Sequence, residues 1–234
     1  MTHKQYGLIF LLATMIAVIW AMSARYIVVC AVMCWLAVSF AWVATAFFLH
    51  CPEMLMGKRQ HVKAFLPFCI INLPFLILYW LTWLVRHFVF PHNPVNAIDG
   101  TYVSVSCWPG FHVPLDQYDV IIDVTSEMPR WYQTGSAKYV CLPNLDGVPL
   151  DRSVLPLEID REMRILVHCA QGRGRSALMT CIILLKLGYA TTANDALQIL
   201  KQSRPSVSIS RHQLSQLEYF ARNNMFGCSV ASSE

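Results

Sequence analysis

The fold of this chain is decided by residues 165–176, which read Ile-Leu-Val-His-Cys-Ala-Gln-Gly-Arg-Gly-Arg-Ser. An apolar run leads into Cys169, a loop with two glycines follows, and an arginine and a serine open the next apolar segment. Glycines allow the backbone to curl so that successive N–H groups converge on an anion. A helix that begins at Ser176 would direct its positive dipole end at the same point. The stretch therefore predicts a strand, an anion-binding loop and a helix, in that order.

Cys169 is the candidate nucleophile of this loop. A nearby helix N-terminus and cationic side chains favour the reactive thiolate over the thiol. Arg175 can hold two phosphate oxygens with its planar guanidinium, and Ser176 can donate a hydrogen bond to the sulfur when it leaves. The alternative is a buried structural cysteine beside a glycine-rich turn. The apolar strand before the loop and the apolar helix after it argue against that alternative.

The pattern resembles the protein tyrosine phosphatase superfamily and, within it, the dual-specificity phosphatases, whose loop reads His-Cys, five residues, Arg, then Ser or Thr. By this resemblance Cys169 attacks phosphorus to form a phosphocysteine, which water hydrolyses. Arg175 is then the phosphate clamp, and no cofactor or metal is required. The residues that the resemblance assigns to substrate binding are His168, Ala170, Gln171, Gly172, Arg173, Gly174 and Ser176.

The reaction also needs a general acid to protonate the leaving oxygen. Members of the family place an aspartate on the loop after the strand that precedes the cysteine strand, and here that loop is residues 143–151. Asp146 is our first choice and Asp151 the second. Asp146 lies 23 residues before Cys169, which is a shorter spacing than is common in this family. The shorter spacing indicates that the helix usually found between the two residues is trimmed. Asp146-Gly147 is also a good turn pair without any chemistry.

Short runs rich in valine and isoleucine predict four strands at 102–106, 119–125, 137–142 and 164–169. Residues 176–187 predict a helix that ends at Gly188, and Thr192 and Ser210 open two more through capping boxes. We therefore expect an α/β domain over residues 96–234, a central sheet flanked by helices. The resemblance covers most of it, including residues 119–129 and 203–214. Asp123, at a strand end, is expected to be structural.

Residues 1–95 predict a membrane region. They contain seven charged side chains, against 25 in residues 96–234. Three apolar runs at 7–24, 27–49 and 64–85 have about the length that a helix needs to cross a bilayer. A signal peptide is a poor alternative because the first run has no convincing cleavage site. The prolines of the third run are tolerable where neighbouring side chains satisfy the freed carbonyls. Residues 91–94 are expected to be the linker.

The side of the membrane that holds the catalytic domain is predicted differently by two signals. With three spans, the positive-inside rule counts four cations on the amino-terminal side and two, Arg25 and Arg86, on the other. This count places the catalytic domain outside the cytoplasm. The nine cysteines show no paired spacing and are typical of free thiols in a reducing compartment. We give the thiols more weight and expect a multi-pass protein of the bacterial cytoplasmic membrane, with its catalytic domain in the cytoplasm.

Arg173 favours a lipid substrate. It supplies a second cation beside Arg175, as in phosphoinositide-directed relatives, and the loop is similar to loops of the phosphatidylglycerophosphate phosphatase branch. We expect membrane lipids as partners and phosphatidylglycerophosphate or a phosphoinositide as substrate, with membrane phosphoproteins as the alternative. An inactive phospho-binding module is disfavoured because Cys169 and Arg175 are both present. A phosphatidic acid phosphatase in the apolar half lacks the polar residues it needs. The second half has net charge −1, which excludes a nucleic-acid partner.

Overall fold

A computed structural model describes residues 3–59, 64–89, 94–110, 113–148, 150 and 158–223 of the chain. It divides into two compact units. The first unit contains residues 1–93, 125–131 and 141–148, and the second contains residues 94–124, 132–140 and 149–234. Asp151, residues 91–93 of the expected linker and the tail from residue 224 lie outside the described residues.

The second unit contains a five-stranded sheet in the order β1-β2-β5-β3-β4. The strands are β1 (Val95–Ala97), β2 (Val103–Ser106), β3 (Val120–Asp123), β4 (Lys138–Cys141) and β5 (Ile165–His168). β5 lies in the middle and runs parallel to both β2 and β3, whereas β1 pairs with β2 in the antiparallel sense. Every residue of β2, β3 and β5 is buried. Burial on both faces explains the continuous apolar runs of β3 and β5, whereas β2 alternates valine with buried serine.

Three helices accompany the sheet, namely α5 (Arg175–Lys186), α6 (Ala193–Ser203) and α7 (Arg211–Arg222). α5 is buried over its first ten residues and packs on β2 and β5. The predicted capping boxes are present, because Thr192 accepts from the Asp195 N–H and Ser210 accepts from the Gln213 N–H. The predicted fold class, a sheet flanked by helices, is confirmed. β1 is an element that the sequence analysis did not predict.

The helices of the first unit are α1 (His3–Ser23), α2 (Ile27–Leu49), α3 (Glu53–Met56) and α4 (Leu66–Val89). α1, α2 and α4 are long and apolar enough to cross a membrane. The first two form a hairpin whose ends meet at the aromatic pair His3–His50, with ring centroids 4.2 Å apart. The short α3 was not predicted. The three expected apolar helices are therefore present, with bounds that differ by a few residues from the apolar runs.

Pro74 lies inside α4 without breaking it. A proline has no N–H to donate to the carbonyl four residues earlier, which here belongs to Ile70. The indole N–H of Trp35 on α2 donates to that carbonyl at 3.1 Å. The freed acceptor is thus satisfied by a neighbouring helix, as the composition of the third apolar run requires.

Candidate active site

Cys169 directly follows β5, the central strand of the sheet. The loop 169–174 then turns back into α5, whose first residue is Arg175. Ligand sites of parallel sheets form outside the carboxyl ends of the strands, where backbone N–H groups and helix N-termini converge. The strand–loop–helix order predicted from residues 165–176 is therefore the arrangement in the structure.

The Cys169 sulfur is held by polar groups of its own loop. Its side chain is buried, the Gly172 N–H donates to Sγ at 3.1 Å, and the Ser176 hydroxyl oxygen lies 3.3 Å from Sγ. An N–H that points at a sulfur stabilises negative charge there. These contacts suit a sulfur that carries negative charge, both as the attacking group and as the leaving group.

Gly172 is required at its position by the geometry of the loop. Its φ is +67°, and an added Cβ would lie 2.7 Å from the Arg204 guanidinium and from the backbone of Ser106 and Cys107. No other residue fits such a space without moving the backbone. The tight turn at Gly172 is what directs its N–H towards Cys169.

Arg204 braces the loop from α6. It is buried, and it donates from Nε to the Gly172 carbonyl at 2.8 Å and from Nη1 to Asn96 at 2.5 Å. Burial lowers the pKa of the Arg204 guanidinium below its ordinary value, but an arginine still carries its charge inside a protein. Arg204 therefore adds positive charge beneath the loop as well as rigidity.

Two further backbone bonds hold the loop in place. The Trp108 N–H donates to the Ala170 carbonyl at 3.1 Å, and the Ser208 N–H donates to the Arg173 carbonyl at 3.1 Å. Cys107, next to Trp108, is buried, and burial raises the pKa of its thiol to about 11. The Cys107 thiol therefore stays neutral near pH 7.

His168 lies under the loop with a fully buried side chain. Its Nε2 is 2.5 Å from the Tyr132 hydroxyl oxygen, and its Nδ1 is 3.9 Å from an Asp123 carboxylate oxygen. Asp123 in turn accepts a hydrogen bond from the Tyr139 hydroxyl at 2.6 Å. These side chains form a buried polar chain at the end of β3 and β5. They orient the residue that precedes Cys169, and Asp123 has the structural surroundings expected for it.

The predicted loop residues differ in their exposure. Arg175 is 3% exposed, Gln171 and Gly174 are half-buried, and Arg173 is exposed. Asp146 lies in the first unit, in an exposed turn that Gly147 makes at a φ of +75°. The structure thus brings residues 168–176 together in one loop, and it places Asp146 on a solvent-accessible turn.

Sequence reasoning missed the braces of the loop, Arg204, Trp108 and Ser208. Arg204 belongs to the Ser-Arg-Pro stretch already noted as similar to the family, but an arginine before a proline at a helix end carries no signal of burial. The Trp108 and Ser208 contacts use backbone N–H groups, which any residue except proline supplies. Such contacts are invisible in a sequence.

Comparison with known proteins identifies the domain that contains this loop. A family model described as the dual specificity phosphatase catalytic domain matches residues 116–223. The matched segment is a little under half of the chain. The loop at Cys169 and the braces at Arg204 and Ser208 all lie inside the matched segment. The resemblance inferred from residues 168–176 is confirmed.

The solved structures that are similar to this chain have low sequence identity to it. PTPMT1 is 18% identical with a TM-score of 0.42, over 55% of this chain and 94% of its own. The structure of PTPMT1 in complex with PI(5)P has 18% sequence identity and a TM-score of 0.44, and the match covers 56% of this chain and 96% of PTPMT1. Human DUSP28 has 15% sequence identity and a TM-score of 0.46, and the match covers 57% of this chain and 96% of DUSP28. No curated protein matches the chain.

Proposed function

We propose that this protein is a membrane-anchored phosphatase that hydrolyses the phosphate monoester of a phospholipid head group through a phosphocysteine at Cys169. The observation that carries the proposal is the loop itself. The buried Cys169 sulfur accepts a hydrogen bond from the Gly172 N–H and lies beside the Ser176 hydroxyl. The loop leads directly into α5, whose first residue is Arg175. This set of groups suits a nucleophile that attacks an anion and then leaves as an anion.

The first step forms a sulfur–phosphorus bond and breaks the bond between phosphorus and the ester oxygen. The Cys169 thiolate supplies the electron pair, and the leaving oxygen takes a proton from the Asp146 carboxylic acid. Arg175 holds the equatorial oxygens, where charge is concentrated in the transition state. His168 contributes by positioning the backbone before Cys169 through its buried contact with Tyr132.

The second step hydrolyses the phosphocysteine. The Asp146 carboxylate takes a proton from water, the water oxygen bonds to phosphorus, and the sulfur leaves as a thiolate. The Ser176 hydroxyl donates to that sulfur, from which it lies 3.3 Å away before any substrate binds. Inorganic phosphate is released and both groups return to their starting protonation states, so no co-reactant other than water is needed.

Asp146→Asn tests the acid. We expect the rate on an alkyl phosphate to fall by about 10²–10⁴, the usual contribution of a positioned acid. An aryl phosphate with a good leaving group should lose much less, because its oxygen leaves without help. The measurement is kcat for both substrates, and Asp151→Asn is the matched control. If Asp151→Asn shows this selective loss and Asp146→Asn does not, the acid is Asp151.

Arg173 supports a lipid substrate because it adds an exposed cation two residues before the Arg175 clamp. A phospholipid head group can present a second negative charge to it, whereas a small aryl phosphate cannot. The three apolar helices also favour a lipid substrate, since membrane anchoring raises the local concentration of such a substrate. A membrane phosphoprotein would benefit equally from anchoring but not from a second cation at this point.

Arg173→Ala tests the substrate class. We expect it to reduce turnover of phosphatidylglycerophosphate in mixed micelles several-fold more than turnover of an aryl phosphate. Arg222→Ala removes an exposed arginine at the end of α7 and should leave both rates unchanged. If the losses on both substrates are equal, or if phosphopeptides outcompete every lipid tested, the lipid substrate is wrong and membrane phosphoproteins become the proposed substrates.

A further inference from the structure

Lys58 binds a segment of the phosphatase domain from the loop that follows α2. It lies nine residues after Leu49, the last residue of α2, and its side chain is 1% exposed. Its Nζ donates to the Thr125 hydroxyl at 2.8 Å, the Thr125 carbonyl at 3.2 Å and the Met128 carbonyl at 2.9 Å. All three donors of the ammonium are therefore used on one short segment. Residues 125–128 must lie at the side of the membrane where α2 ends.

The same segment contacts the middle of α4. The Tyr79 hydroxyl donates to the Glu127 carboxylate at 2.8 Å, and the Trp80 indole N–H donates to the Glu127 carbonyl at 2.9 Å. Tyr79 lies 13 residues after Leu66, which is about 20 Å along the helix. If α4 crossed the bilayer, this point would be near the centre of the hydrocarbon. A buried carboxylate such as Glu127 is costly at that depth.

The contacts of α4 with the end of α2 also disagree with a third span. A helix that returns antiparallel to α2 moves away from the end of α2 as its residue numbers rise. Phe68, near the start of α4, contacts Trp42 at 5.5 Å between ring centroids. The Asn72 side-chain amide donates to the Met54 and Leu55 carbonyls, just after α2, at 3.0 and 2.9 Å. Leu76 still belongs to the apolar cluster that contains Phe47, Leu55 and Met56. From Phe68 to Leu76, α4 therefore does not move steadily away from the end of α2.

We infer that α4 does not cross the membrane and that the chain crosses it only twice, through α1 and α2. α4 then lies in the interfacial layer on the side where α2 ends, with its exposed apolar side chains against the acyl chains and head groups. Five of those side chains are 50–73% exposed: Ile70, Leu78, Leu81, Val85 and Phe88. An amphipathic helix buries such a face at the boundary of the hydrocarbon. The amino terminus, the connection from α2 to α4 and the phosphatase domain share this side.

This arrangement removes the conflict between charge and thiol chemistry. With two spans, one side carries five cations and the other carries Arg25 alone. The five are Lys4, Lys58, Arg59, Lys63 and Arg86. The positive-inside rule then places the phosphatase domain in the cytoplasm. The unpaired cysteines favour the same reducing compartment.

The interfacial α4 also packs against the turn that carries Asp146. Leu145 and Val148, which flank the Asp146 turn, belong to the same apolar cluster as Phe75 and Leu76 of α4. The Ser126 hydroxyl donates to the Asn144 carbonyl at 3.1 Å, which ties the two phosphatase-domain segments of this unit together. The turn that carries Asp146 is therefore held by a helix that lies at head-group level.

The position of the two chain ends tests the inference. An epitope tag is added before Met1 and another after Glu234 of the full chain, and sealed vesicles of both orientations are treated with protease. We expect both tags to be lost from inverted vesicles and both to be protected in right-side-out vesicles. Tags on opposite sides of the membrane, in all or part of the population, would overturn the inference.

Arg25→Cys supplies the second measurement. A membrane-impermeant maleimide should modify residue 25 in right-side-out vesicles, where both tags are protected, as read from the mass of the peptide that contains it. Modification of residue 25 from the side that exposes the tags would show that α1 and α2 do not cross, and it would overturn the inference. The inference rests on the proposed membrane anchoring. Hydrolysis of an aryl phosphate by the same vesicles reports separately on Cys169 chemistry.

Discussion

Cys169→Ser should abolish turnover, with a loss of at least about 10⁴-fold, while substrate binding is retained. A serine hydroxyl ionises far less readily than a thiol, and the groups that stabilise a sulfur anion do not make it a nucleophile. The Gly172 N–H and Ser176 remain in place to hold the loop. The variant should therefore bind a phosphorylated substrate and fail to hydrolyse it. The measurement is single-turnover release of inorganic phosphate, together with binding of the labelled substrate.

Cys181→Ala is the matched control for that experiment. Cys181 is also buried, on α5, and burial raises the pKa of its thiol to about 12. It touches no group of the loop in the described contacts, so its loss should leave kcat unchanged. Turnover that survives in Cys169→Ser, with or without added metal, would contradict the phosphocysteine mechanism.

Arg175→Ala should reduce kcat on every monoester by on the order of 10³–10⁵-fold. A guanidinium that holds two phosphate oxygens stabilises charge that grows in the transition state, and this need is common to lipid, peptide and aryl substrates. The loss should therefore be similar for a lipid phosphate and an aryl phosphate, in contrast with the selective loss predicted for Arg173→Ala.

Arg175→Lys separates charge from geometry. Lysine keeps the positive charge but cannot bind two oxygens in a fixed fork, so its activity should lie between those of Arg175→Ala and the natural protein. Because Arg175 is buried, each variant is first checked for a cooperative thermal transition. If a folded Arg175→Ala variant hydrolyses either substrate at the natural rate, then Arg175 is not the clamp.

The strand and the helix around Cys169 were predictable because their signals are local. A run of β-branched residues, two glycines and an apolar segment determine strand, loop and helix within twelve residues. The capping boxes at Thr192 and Ser210 were predictable for the same reason, since each is closed by side chains three residues apart. These features need no knowledge of where the rest of the chain lies.

The braces of the loop were not predictable because they come from distant parts of the chain. Arg204 reaches Gly172 across 32 residues and Asn96 across 108. Lys58 is one of the four cations that the positive-inside rule counts on the amino-terminal side, yet it reaches Met128 across 70 residues and is buried. A charged side chain is normally exposed to solvent, so the burial of Lys58 is evident only from its neighbours in the tertiary structure.

The sequence by itself determined the class of chemistry, the α/β domain and the three apolar helices, because each follows from residue types within one short segment. Only the tertiary structure decided what holds the Cys169 loop and where α4 runs. Hydropathy depends only on the composition along a helix, so by hydropathy α1, α2 and α4 are all candidate membrane spans. The course of a helix depends on the residues that it contacts. The contacts of Asn72 with Met54 and of Tyr79 with Glu127 distinguish α4 from α1 and α2.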